Sequence, residues 1–140
     1  MLRFANTDNV FEMTVPVVED ASLHSVNGAV VIVDIRSHGY TATNRLWVHA
    51  PDLVAFGASL KELDRSLKGE ARLTSMSPNE LSLRVFAASS RGHLAVEGQT
   101  GKFVLGENGR YWHSVSFGFE FESGQVKCAL VDPWVPKSGA

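Results

Sequence analysis

Apolar residues recur at two different periods along this chain, and the changes of period mark out its elements. Phe11, Met13, Val15 and Val17 alternate with Glu12, Thr14 and Pro16, the period of a half-buried strand. Pro16 cannot donate to a ladder, so this strand is expected to lie at a sheet edge or to end near it. Asn27-Gly28 signals a turn. Ala29–Ile35 follows as a nearly unbroken β-branched run, which predicts a strand covered on both faces, with a helix on one side. Asn44–His49 reads as a further strand, Leu46 and Val48 on one face and Trp47 and His49 on the other.

The period then changes. Leu53, Phe56, Leu60, Leu63 and Leu67 are spaced by three and four, a single apolar stripe that predicts an amphipathic helix over Pro51–Leu67. Pro51 suits its first turn and Gly69 its C-terminal cap. Asp52 and Lys68 sit where the helix dipole favours an anion and a cation.

After Gly69 the period returns to two. Glu70–Met76, Leu81–Val85, His93–Gly98 and Lys102–Leu105 read as strands, separated by Ser77-Pro78-Asn79, Ser89–Gly92 and a hairpin turn at Gly98–Lys102. Glu107-Asn108-Gly109 turns the chain into Tyr111–Glu122, with Val115, Phe117, Phe119 and Phe121 inward and Ser114, Ser116, Gly118, Glu120 and Glu122 outward. The phenylalanines would each contribute about 1.5–3 kcal/mol if buried, which predicts a central strand. Ser123-Gly124 is expected to make a hairpin into a last strand, Gln125–Val131, and residues 132–140 an extended tail tacked down by Trp134.

This pattern predicts an α+β fold, a mostly antiparallel β meander folded as a sandwich or a strongly curved sheet, with one amphipathic helix packed on it. Length is consistent with a single globular domain over residues 1–140. With 44% hydrophobic and 20% charged residues and a net charge of −2, the chain lacks the basic footprint of a nucleic-acid binder. No segment has the length or apolarity of a membrane span or a signal peptide. Asp8, Glu12, Glu19, Asp20, Asp34 and Asp52 make the first third mildly acidic, and the remainder is close to neutral. Cys128 is the single cysteine, which excludes an intrachain disulfide and suggests a reducing, cytoplasmic setting. Its alternation with Val126 and Leu130 predicts a place on the core face.

Catalytic chemistry finds little support. The histidines His24, His38, His49, His93 and His113 lack metal-site spacing, and no cofactor is expected. A G-x-S-x-G elbow is absent, and Ser114 beside His113 would point to the opposite sheet face. Glu120 and Glu122 share one strand face about 7 Å apart, a separation seen in inverting glycosidases, yet a solvated outer face explains them better. An acidic binding patch is the next reading of that pair. Gly98-Gln99-Thr100-Gly101-Lys102 opens a strand, not a helix, and so is no phosphate loop.

The order of helix, Gly69-Glu70-Ala71-Arg72-Leu73, Glu80–Val85, Arg91-Gly92-His93-Leu94-Ala95-Val96 and an aromatic strand resembles the WapI-like bacterial immunity proteins and related small bacterial domains, over about residues 52–131. That resemblance implies a non-enzyme that neutralises a toxin by binding it, and it carries over no catalytic residue. It transfers only His93, as a structural residue at a turn.

The partner expected on these grounds is another protein, neither nucleic acid nor membrane. Trp47, Trp112, Trp134, Glu120 and Glu122 are its candidate contacts, since interfaces favour aromatic anchors and a basic cleft on the partner would suit an acidic patch. The alternative is a small-ligand binder or enzyme with its site on one sheet face near Tyr111, Trp112 and His113. A third reading, assembly through an edge strand, is opposed by Pro16 on the first strand.

Overall fold

The computed structural model describes residues 1–16 and 28–135. Eight strands form two four-stranded antiparallel sheets, each a simple up-and-down meander. The first holds β1 (Leu2–Ala5), β2 (Asn9–Thr14), β3 (Gly28–Ser37) and β4 (Tyr40–His49), in that order across the sheet. Helix α1 (Ala50–Ser66) links it to the second, which holds β5 (Glu70–Thr74), β6 (Leu81–Ala87), β7 (His93–Leu105) and β8 (Arg110–Glu122). A short helix, α2 (Gly124–Ala129), follows. The fold is α+β, and of the two expected arrangements it takes the sandwich.

Local sequence accounts for most of these elements. Alternation places Phe11, Met13, Val31, Val33, Ile35, Leu46 and Val48 in the core from one sheet, and Leu73, Leu81, Leu83, Val85, Leu94 and Val96 from the other. Strand β2 stops before Pro16, as a missing backbone donor requires. His38 and Gly39, with φ of 50° and 86°, make the two-residue β3–β4 turn, in which both positions are left-handed. In α1 the stripe Leu53, Phe56, Leu60 and Leu63 is buried and Pro51 lies in the first turn. The helix packs mainly along β5, the edge strand of the second sheet. Its C-terminus differs from expectation: Leu67, at φ 54°, already turns left-handed and donates its N–H to Leu63, two residues before Gly69.

Several expectations are corrected. On one face of β3 Val31, Val33, Ile35 and Ser37 are buried, whereas the other is covered only at Gly28 and Val30, with Ile32 and Asp34 half-buried and Arg36 exposed, since α1 packs mainly against β5 of the other sheet. The region Gly98–Lys102 is no turn; β7 runs straight through it. A β-carbon on Gly98 would stand 2.1 Å from the Ser82 carbonyl oxygen, so this glycine serves close strand approach rather than chain reversal. β8 is an edge strand, not a central one. Its phenylalanines are buried from above, by the other sheet.

The segment Gln125–Val131 is not a strand. Val126 and Ala129 are buried at helical spacing in α2, and Cys128 is exposed instead of facing the core. The helix prevails because it plugs the end of the sandwich beside β1. There the Gln125 side chain accepts from the Ala5 N–H at 2.7 Å and donates to the Ala5 carbonyl at 2.9 Å, standing in for a neighbouring strand at the sheet edge. Asp132–Val135 is drawn into turns rather than extended, with Val135 buried and Trp134 stacked on Phe56 of α1 at 6.1 Å. The expected turn at Asn27, the end of the first strand at Val17, and the chain beyond Val135 lie outside the described residues.

The two sheets cross. Phe121 stacks on Phe4 of β1 at 4.2 Å and Phe117 on Phe11 of β2 at 5.4 Å, while Thr100 of β7 meets Asn44 of β4 at 3.0 Å. The β7–β8 ribbon therefore runs across the strands of the first sheet instead of along them. A strand of 13 residues spans about 43 Å, whereas four strands side by side span only about 15–20 Å. Among the described residues no strand of the first sheet lies above the excess length, and the ribbon overhangs.

Candidate functional site

The overhang is a β-hairpin arm. Lys102, Phe103, Val104 and Leu105 pair with His113, Trp112, Tyr111 and Arg110, and Gly106 donates to the Gly109 carbonyl at 2.8 Å to close the tip. Pairing between β6 and β7 ends at Thr100, so among the described residues neither edge of the arm pairs with a further strand. Period-two alternation cannot hide apolar side chains here, because among the described residues neither face is covered by another layer. Leu105 is 80% exposed, Tyr111 56%, Phe103 52% and Trp112 39%. Monomer surfaces seldom gather apolar side chains this closely without a use for them.

Two glycines hold the aromatics in place. A β-carbon on Gly101 would stand 2.2 Å from the Trp112 ring, and one on Gly106 would stand 2.8 Å from the Tyr111 ring. Each ring thus lies on bare backbone of the facing strand, which restricts its rotamers before any partner arrives. Phe103 meets Trp112 edge to face at 5.0 Å, and the Arg110 guanidinium sits 4.3 Å above the Phe103 ring. Trp112, Phe103 and Arg110 form one face of the arm. Tyr111, Val104, Lys102 and His113 form the other.

The root of the arm is fixed by a buried polar knot. Asn44 donates to the Thr100 hydroxyl at 3.0 Å and to the Gly101 carbonyl at 2.9 Å, and Thr100 donates to the Glu80 carbonyl at 2.6 Å. A groove of roughly 640 Å³ opens here between β4 and the arm, reaching Lys102, Trp112 and His113. A second, of roughly 530 Å³, lies between the arm and the Ser77–Glu80 turn, walled by Phe103, Arg110 and Trp112. Trp112 borders both.

The other sequence candidates are dispersed. Glu120 and Glu122 share the outer face of β8, about 27 Å and about 34 Å from Trp112 along the strand. Glu122 lies 3.3 Å from the His93 imidazole. Along the same sheet Glu70 accepts from Arg72 and Arg84, and Arg84 also donates to Glu97. The Arg84 and Arg72 hydrogen bonds hold the Glu70 carboxyl below its ordinary range, and the Glu70 and Glu97 bonds raise Arg84. This ladder pairs its own charges.

His93 begins β7, where its carbonyl accepts from Ala88 and Ser89 to close the β6–β7 turn. Trp47 is on the outer face of the first sheet, and Trp134 packs on α1 with its indole N–H donating to Asp132 at 3.1 Å. Of the Tyr111–His113 site, Tyr111 and His113 share a face and Trp112 takes the other. Among the described residues no group of three or more His, Cys, Asp or Glu is placed to hold a metal ion.

Phe103, Val104, Leu105, Lys102 and Arg110 were not singled out from the sequence. The signal was present, since Phe103-Val104-Leu105 and Tyr111-Trp112 break alternation and offer apolar side chains to both faces of a hairpin.

Comparison with known proteins places this geometry in context. The sequence profile of the Immunity protein WapI-like family matches residues 3–131. No curated protein and no solved structure matches the chain.

Proposed function

The chain belongs to the Immunity protein WapI-like family, and from that premise we propose that it neutralises a toxin by binding it, with the Lys102–His113 arm as the principal contact. The observation that carries this reading is the arm itself. It exposes Phe103, Leu105, Tyr111 and Trp112 on a ribbon that, among the described residues, adds none of these side chains to the core. Interface energy concentrates in tryptophan, tyrosine and arginine anchors, and the arm offers Trp112, Tyr111 and Arg110 together. Rings already seated on Gly101 and Gly106 lose little freedom on binding. The mode of action is steric occlusion, with no bond made or broken by this chain.

The experiment is protection. Candidate toxin domains from the source genome are expressed in a susceptible host with and without this chain, and survival is counted. Protection by the intact chain supports the reading. Trp112→Ala should then weaken binding to the protected-against toxin by about 2 kcal/mol or more, roughly thirtyfold in Kd, with the melting temperature unchanged. Full affinity in that variant would show that the contact lies elsewhere, and failure to protect against any candidate would count against the immunity role.

A further inference from the structure

We propose that the surface receiving the arm is an apolar cleft whose rim carries carboxylates facing Arg110 and Lys102; this rests on the arm being the toxin contact. The arm carries more basic than acidic side chains in a chain with net charge −2. Lys102, Arg110 and His113 stand on it against Glu107 at the tip. Among the described residues neither Lys102 nor Arg110 has a carboxylate within ion-pair distance, whereas Arg72 and Arg84 on the same sheet are both paired.

Geometry turns that charge into a requirement. The Arg110 guanidinium lies 4.3 Å above the Phe103 ring, and that ring meets Trp112 at 5.0 Å. A pocket deep enough to cover Phe103 and Trp112 therefore covers Arg110 as well. A guanidinium taken from water without a counter-charge carries a desolvation penalty that would cancel what the rings contribute. Arginine's planar fork suits a carboxylate that can accept two hydrogen bonds. Lys102 projects from the opposite face, paired in register with His113, so the second wall of the cleft needs an acidic group too.

The polarity is the reverse of that suggested by Glu120 and Glu122, whose patch would select a basic partner, and the two assignments predict opposite results. The probe is the toxin domain against which the intact chain protects, with binding measured by calorimetry or interferometry. Lys102→Glu combined with Arg110→Glu is expected to weaken binding at least tenfold, and Glu120→Lys combined with Glu122→Lys to leave it within about twofold. Raising NaCl from about 0.05 M to about 0.5 M should weaken the unaltered complex and affect the Lys102→Glu/Arg110→Glu variant little.

The arm variants replace exposed side chains, and an unchanged melting temperature confirms folding. If reversing Lys102 and Arg110 leaves affinity intact while Trp112→Ala destroys it, the acidic rim is wrong and the arm contact stands. If reversing Glu120 and Glu122 is what destroys binding, the acidic rim and the arm contact are both wrong and the immunity role stands. If no toxin is neutralised at all, the functional reading fails and this inference fails with it.

Discussion

Gly98 shows how much can rest on a missing side chain. A β-carbon there would meet the Ser82 carbonyl oxygen at 2.1 Å and the Leu83 α-carbon at 3.2 Å, both backbone atoms that cannot rotate away. Gly98→Ala must therefore push β6 from β7, and a loss of about 1–3 kcal/mol is expected, read as a lower urea midpoint with an unchanged slope. Gly69→Ala is the useful contrast, since its β-carbon would meet nothing within 4 Å and only its φ of 84° is at stake. Should Gly98→Ala prove as stable as the parent, the close β6–β7 approach is not as described. From the sequence, Gly98 and Gly101 looked like one turn, because glycine signals reversal and close contact with the same symbol. What separates the two is the neighbouring strand, which no local window contains. Cys128 has the same lesson: alternation with Val126 and Leu130 reads as a strand face, but the buried pair is Val126 and Ala129.

At the scale of elements, long regular patterns were legible and their extents were not. The stripe from Leu53 to Leu63 fixes α1 because its roughly three turns of period near 3.6 need no outside partner to be recognised. Helix α2 has only 6 residues, too few to distinguish a period of two from one near 3.6, and its identity is decided by the end of β1 that Gln125 satisfies. The arm is the element whose shape was visible and whose exposure was not: a hairpin at Glu107-Asn108-Gly109 is written in the turn residues, but its overhang depends on the width of the other sheet. That independence from the core is testable. Replacing residues 103–112 by Asn-Gly, a two-residue hairpin turn, should leave the sandwich folded with stability within about 1 kcal/mol of the parent, since nothing buried is removed. Toxin protection should be lost in the same variant. A shortened chain that no longer folds, judged by circular dichroism and amide dispersion, would mean that the arm is part of the core assembly.

Taken whole, the molecule is two sheets that share one apolar interior, from Leu2 and Phe4 at one end to Leu81 and Leu83 in the other sheet. Alternation from Phe11 onward named most of that interior in advance, but Leu2 and Phe4 of β1 were not read as a strand, four residues being too short a run to show a period. It could not say that the sheets cross, or that β8 would be an edge, because strand order is a property of the connections and of α1 between them. Where the sheets meet at the arm root, the contact is polar: Asn44 of the first sheet bonds Thr100 and the Gly101 carbonyl of the second, with Asn44 7% and Thr100 2% exposed. Removing that amide leaves a buried carbonyl with one partner fewer, so Asn44→Ala should cost about 1–3 kcal/mol. Since the knot lies between the sheets, the cost should be felt by both. Hydrogen exchange is the discriminating measurement: amides of β3 and of β6 should lose protection by the same amount, as expected when they open in one cooperative event. Loss confined to β3 and β4 would show instead that the first sheet opens alone, and that Asn44 stabilises its own strand rather than the joint from which the arm projects.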